Sequence, residues 1–268
     1  MESMEVVEHG PHRVSLRVRR RYRASSITQT YRLDANGRRL DIVTELDWRD
    51  RRTLLRALTP AAVRAASATF ECACGVVKRP THANTPWDAA MFEVVGHRFV
   101  DLSEPGFGLA LLNDAKYGHS VRGGVLGLSL VRSPVYPDPL ADEGAHAFTY
   151  ALAPHAGDWH EGGVREEADD LNQPLLAVFA RGLAPSVHTP LLVSGIAAAL
   201  SALKPAENGD GLVLRVYEPA GARGPFAFAP PQGWRDAGPV NLLEEPAPSD
   251  NRQSLAPFEI RSWRITRG

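Results

Sequence analysis

"LLNDAKYGHSVRGGVLGLSLVRSPVYPDP", Leu111 to Pro139, decides how the chain is read. It opens on an apolar run and then sets Asn113, Asp114, Lys116, Tyr117 and His119 within seven positions. An apolar segment with strand character follows, then Arg132, then Pro134, Pro137 and Pro139. Polar groups this dense between two strands mark either a site or a braced loop. Asn and Asp side chains satisfy loop backbone donors, and Gly118 relaxes the turn. Each proline fixes its own φ and holds the residue before it extended.

The neighbouring segments carry the same strand signature. In "RVSLRVRRRYR", Val14, Leu16 and Val18 share one face while Ser15, Arg17, Arg19 and Arg21 share the other. "SITQTYRLDANGRRLDIVTELDW" predicts a hairpin, with Asn36-Gly37 supplying the positive φ angles of a tight turn. Leu40, Ile42, Leu46 and Trp48 then line one face of the return strand. "ATFECACGVV", "MFEVVGHRFVDL", "FGLALL", "HAFTYAL", "LLAVFA", "LLVSG", "GLVLRVYE" and "PFEIRSWRIT" are further strand candidates between Gly- and Pro-rich turns. One segment differs: Val164, Ala168 and Leu171 at i, i+4, i+7 predict a short helix that stops before Pro174. Pro219 to Pro248 is rich in Pro, Gly and Ala and is expected to be irregular loop. The fold class is all-β.

With 268 residues, 44% hydrophobic and 23% charged, the chain can bury one large β domain or two smaller ones. A net charge of −1 argues against a general nucleic-acid binder. No apolar run approaches the roughly 20 residues of a membrane span, and the acidic start "MESMEVVEHG" lacks the apolar core of a secretory signal. Cys72 and Cys74, at i and i+2 on one strand, would form a strained disulfide. Two thiols in a reducing compartment, the cytoplasm, are expected, and the pair is too small to be a metal site.

Spacing alone selects no catalytic group. Histidines 82, 97, 119, 146, 155 and 160 show no helical metal spacing, and no Gly-x-Ser-x-Gly elbow occurs. Glycosidase chemistry needs two carboxylates facing across a sugar. Asp101, Glu104, Asp114, Asp138, Asp142 and Glu143 are available, and acidic loop residues are common everywhere. The Arg17, Arg19, Arg21, Arg23 stripe is expected to be a solvated face.

"KRPTHANTPWDAAMFEV", "HRFVDLSEPGFGLALLNDAKYGHSV", "GVLGLSLVRSPVYPDPLADEGAHAFTYAL", "LSALKPAENGDGLVLRVYEPAG", "VNLLEE" and "PFEIRSWRI" occur in this order. Together they resemble the C-terminal β region of the α-mannosidases of glycoside hydrolase family 38, from about Val6 onward. The resemblance implies a galactose-mutarotase-like supersandwich over 1–183, with its first strands missing, and a small β-sandwich-like domain over 184–268. In that family, zinc and the nucleophilic Asp belong to an N-terminal catalytic domain, which nothing here resembles. The implied role is accessory: bracing and shaping a sugar pocket, with no catalytic residue, metal or cofactor in this chain. The implied partners are the missing catalytic domain and a mannose-containing carbohydrate, with a homodimer through uncovered surface as a further expectation.

The resemblance also gives the opening stretch a role. Asn113, Asp114, Lys116, Tyr117 and His119 would support the pocket, and Arg132 would reach toward sugar at a domain interface. Alternatively Arg132 pairs internally with Asp138 or Asp142. Two other functions stay open. A mutarotase-like epimerase would use His97, His119 or His146 with Glu93 or Glu143 as acid and base. A free-standing carbohydrate-binding module would stack Trp87, Trp159 or Tyr117 on a sugar.

Overall fold

The computed structural model describes residues 1–179, 181–182, 191–248 and 253–268. In chain order the elements are β1 (Ser3–His9), β2 (Arg13–Tyr22), β3 (Ser25–Asp34), β4 (Leu40–Trp48), β5 (Leu55–Pro60), β6 (Ser67–Cys72), β7 (Gly75–Pro80) and α1 (Pro86–Ala90). Then come β8 (Val94–Val95), β9 (Phe99–Glu104), β10 (Phe107–Asn113), β11 (Gly118–Arg122), β12 (Val125–Val131), β13 (Gly144–His155) and α2 (Val164–Asn172). The chain closes with β14 (Leu192–Gly195), β15 (Ala199–Pro205), β16 (Leu212–Tyr217), β17 (Gly224–Ala229), β18 (Trp234–Val240), β19 (Ser254–Leu255) and β20 (Ile260–Arg267).

The chain divides into two compact units, the first 1–72 with 77–176 and the second 73–76 with 177–268. The expected boundary at 183/184 lies outside the described residues.

The first unit is a supersandwich of two sheets. The larger runs β1-β2-β3-β4-β13-β10-β9-β6-β7 and the smaller β5-β12-β11-β8. Its core draws Ile42, Leu46 and Trp48 from β4, as the alternation predicts, together with Phe70, Val100, Leu102, Leu111, Leu126, Leu128 and Phe148. Trp48 is fully buried, and its indole N–H donates to Ser133 Oγ at 2.5 Å. That bond ties β4 to the turn after β12. The second unit holds two small sheets, β14-β17-β19 and β15-β16-β20-β18. Its core is Leu214, Val216, Phe226, Leu255, Trp263 and Ile265.

Several local expectations change. β3 and β4 do pair as a hairpin, but neither Asn36 nor Gly37 takes a positive φ. The connection over 35–39 is five residues long, so no mirror-image two-residue turn is required. "ATFECACGVV" is two strands, with Cys74 at φ 57 in the turn, so the two thiols are not side by side on one strand. "LLAVFA" is no strand over its described residues; Leu175, Leu176, Val178 and Phe179 are irregular and exposed. The Pro219–Pro248 stretch contains β17 and β18. β18 carries a register shift between Asp236 and Gly238 beside Pro239, the kind of irregularity that lets a proline sit on an edge strand.

The arginine stripe is not merely solvated. β1 pairs antiparallel with β2 and brings Glu2 to Arg21, Glu5 to Arg17 and Arg19, and Glu8 to Arg13. Helix α2 forms as predicted and buries Val164 and Ala168. Its Asp169 joins the Arg98 guanidinium, which also forks onto Glu71.

Beneath this helix lies a buried pair that the sequence does not announce. His155 Nε2 sits 2.8 Å from Asp101 Oδ1, both side chains almost wholly excluded from solvent. Desolvation alone would lower the His155 pKa, but the Asp101 hydrogen bond and charge hold it above its ordinary value. Two glycines make room for the ring. A Cβ at Gly108 would lie 2.2 Å from His155 Cε1, and one at Gly162 would lie 2.3 Å from Nδ1. Gly108→Ala is therefore expected to destabilise the first unit by about 1–3 kcal/mol, the range for overpacking a filled site, as measured by urea denaturation; unchanged stability would show that the ring can move aside.

Candidate functional site

The polar stretch straddles the end of β10 and the start of β11. Asn113 is its hub and is almost fully buried. Its Nδ2 donates to the His97 carbonyl at 2.7 Å, and its Oδ1 accepts from the Lys116 amide at 2.7 Å. The Asn113 carbonyl accepts from Asn172 Nδ2 of α2 at 3.1 Å. These bonds fix the amide orientation, so the NH2 faces His119 Nε2 at a long 3.5 Å. Nδ1 is buried and finds no partner. Burial, with Arg56 and Arg79 nearby, pulls the His119 pKa down to about 4.

Around this buried knot stand more accessible groups. Asp114 Oδ2 accepts from the Thr149 amide at 2.8 Å, and desolvation raises its pKa. Lys116 Nζ lies 4.4 Å from the centre of the Phe148 ring. Desolvation lowers its pKa, against the opposing pull of Asp142 and Asp114. Tyr117 is exposed and meets the His97 ring edge-on at 5.8 Å.

The loop from Arg132 to Glu143 approaches the same corner. Asp142 accepts from the backbone amides of Arg132 at 3.1 Å and Ser133 at 2.9 Å. Asp138 accepts from the Leu140 amide, and Glu143 pairs with Arg51. Ser133 and Asp142 both hold positive φ, at 49° and 64°. The loop is thus clamped at its base. Among the described residues Arg132 makes no ion pair with Asp138 or Asp142, whose carboxylates accept from backbone amides. Among the described residues no ion pair or hydrogen bond engages the exposed Arg132 guanidinium.

The six predicted positions fall into two groups. Asn113 and His119 are interior bracing; Asp114, Lys116, Tyr117 and Arg132 reach the surface, with Asp142 linking the loop to the Lys116 corner. The carboxylates available for glycosidase chemistry are otherwise engaged, Asp101 by His155 and Glu104 by the Arg64 amide. Among the described residues no three His, Cys, Asp or Glu side chains are placed to hold a metal. Of the epimerase candidates, His119 is sealed and held neutral, His146 Nε2 lies 2.7 Å from the Asp142 carbonyl oxygen, and Glu143 is bound to Arg51. Trp159 is buried against Phe99 and cannot stack on a sugar, whereas Trp87 and Tyr117 are exposed.

The family models bear on this geometry. Residues 1–140 match the glycosyl hydrolases family 38 C-terminal domain, and residues 197–263 match the family 38 C-terminal beta sandwich domain. The chain belongs to glycosyl hydrolase family 38. It is 44% identical over 250 residues to Alpha-mannosidase 2C1 of Homo sapiens, a match covering 89% of this chain and 24% of that protein. Against Alpha-mannosidase G of Dictyostelium discoideum the identity is 37%, covering 97% and 26%. The crystal structure of an alpha-mannosidase from Enterococcus faecalis V583 superposes with a TM-score of 0.82 at 18% identity, over 98% of this chain and 34% of that one. That likeness confirms the fold. The chain therefore corresponds to a C-terminal portion of family 38 enzymes and spans about a quarter of the length of these curated relatives. No helix among the described residues is long and apolar enough to cross a membrane.

The interior His119 has a measurable signature. Its folded pKa near 4 lies below the ordinary value of 6.5, so on acidification the unfolded chain takes up this proton first. His119 thus costs stability as pH falls from 6.5 toward 4 and costs nothing above that window. Wild type is expected to lose up to about 3 kcal/mol relative to His119→Gln between pH 7 and pH 4, followed by urea denaturation at each pH. Parallel pH curves for the two proteins would show that His119 protonates freely in the fold.

Proposed function

We propose that this chain is the C-terminal accessory part of an α-mannosidase and shapes the wall of the enzyme's sugar pocket. The observation that carries the proposal is Arg132: its backbone is clamped by Asp142 while, among the described residues, its guanidinium has no internal partner. A guanidinium offers a rigid fork of donors suited to vicinal hydroxyls or to a carboxylate. Lys116, Tyr117 and Asp114 extend the same polar corner, and Asn113 and His119 set its position from beneath. Hydrolysis of the α-mannosidic bond belongs to a catalytic portion that this chain does not contain. The zinc that the family resemblance implies is proposed to sit in that catalytic portion. The partners are that catalytic portion and a mannose-containing carbohydrate, and self-association into a homodimer is a further proposal. A cytoplasmic setting is a further proposal.

The chain alone is expected not to hydrolyse p-nitrophenyl α-mannoside, with or without zinc, because the nucleophile and zinc ligands that lower the barrier are proposed to lie in the catalytic portion. Metal-dependent turnover by the purified chain would overturn the accessory role. In a complete enzyme carrying this region, Arg132→Ala is expected to lower kcat/KM about ten- to a thousand-fold with unchanged urea stability. Wild-type kinetics would remove Arg132 from the pocket.

A further inference from the structure

The larger sheet of the first unit extends past the smaller one. Where β5, an edge strand, faces β2, β3, β4 and β13, a cleft of about 330 Å³ opens. Its polar groups are Arg20, Gln29, Tyr31, Tyr150 and Arg56, and its apolar wall includes Ile27, Ile42 and Leu130. This volume falls within the range of small-molecule sites.

The direction of each hydrogen bond here follows from one residue. Arg20 has donors only, so the Gln29 atom 2.6 Å from its Nη1 is Oε1. Tyr31 donates to the same oxygen at 3.1 Å. Gln29 Nε2 therefore turns the other way and donates to Tyr150 Oη at 2.9 Å. The Tyr150 oxygen is an acceptor in this chain of bonds, and no described residue accepts its hydrogen. Burial, with Tyr31 beside it, raises the Tyr150 pKa to about 12, so the hydrogen stays in place. With Nη1 taken by Gln29, the adjacent Nε and Nη2 donors of Arg20 remain available. Arg56 adds a second cation; its Nη2 bonds Ser120 Oγ at 2.7 Å, and its Nε is buried without a partner. No Asp or Glu lines the cleft.

We infer that this cleft binds a small organic carboxylate, held by the Arg20 fork and the Tyr150 hydroxyl, with its body against the apolar wall. Two cations and a spare hydroxyl donor with no facing acid call for an anion. A planar two-oxygen anion matches the guanidinium edge, and the apolar wall calls for an organic body, which inorganic phosphate lacks. This site is separate from the Arg132 corner and does not rest on the role proposed there.

Calorimetric titration of this chain with benzoate and cyclohexanecarboxylate, against benzamide and cyclohexanecarboxamide, tests the inference. The carboxylates are expected to bind at least about ten-fold more tightly than the amides. Arg20→Met and Tyr150→Phe should each weaken carboxylate binding about ten-fold or more, with Arg20→Lys falling between. Arg21→Met, at a guanidinium that pairs with Glu2, should leave it unchanged. If Tyr150→Phe fails to fold, Arg20→Met at the partly exposed position on β2 decides. Equal affinity for acids and amides, or full affinity in Arg20→Met, overturns the inference. Binding of an acidic peptide but not of the free carboxylates would assign the cleft to a strand added at β5 and overturn it equally.

Discussion

The twelve-residue strand β13 is the constraint on which the first unit depends. It pairs with β4 from Gly144↔Trp48 to Leu152↔Leu40 and with β10 from Gly108↔His155 to Asn113↔Tyr150. The N-terminal meander and the central strands become one sheet only through it. Phe148 underlies Lys116, Tyr150 receives Gln29, and His155 reaches Asp101, all from this strand. Because side chains alternate faces, a slip of one residue would turn each of these groups to the wrong side.

Two histidines of the same sandwich are held in opposite ways. His155 has a carboxylate and two glycines around it, and its proton is favoured. His119 is sealed from solvent with two arginines near, and its proton is refused. Neither arrangement resembles catalysis, since neither ring meets solvent. The polar groups of this unit are largely spent on holding strands and loops in place. That suits the accessory role proposed for the chain.

What could be foreseen was whatever rests on local alternation. Val14, Leu16 and Val18 marked a strand, Ile42, Leu46 and Trp48 its buried neighbour, and the 164, 168, 171 spacing marked α2. Motif order carried the family. Long-range pairing was not legible. Nothing in Asp101 announces His155, 54 positions on, and nothing in "MESMEVVEHG" shows that its glutamates will match the arginines of β2. The polar stretch stands out in the sequence, but its division into a buried knot and an exposed rim does not. That division depends on which residues β13 and α2 cover, and both lie downstream. "LLAVFA" misled because apolar composition alone cannot supply a pairing partner.

The ladder of Glu2, Glu5 and Glu8 against Arg13, Arg17, Arg19 and Arg21 lies at the free margin of the nine-stranded sheet. Its pairs are exposed, so ionic strength weakens them far more than it weakens the core. A margin fringed with both signs of charge is also poorly suited to stacking against copies of itself. Dilute buffer and concentrated salt therefore present two different borders to a neighbouring molecule. In the first the outermost strand is clasped by its own counter-charges; in the second it is held mainly by backbone bonds and by the Ser15 hydroxyl on Glu8, and is the first part of the sandwich to fray.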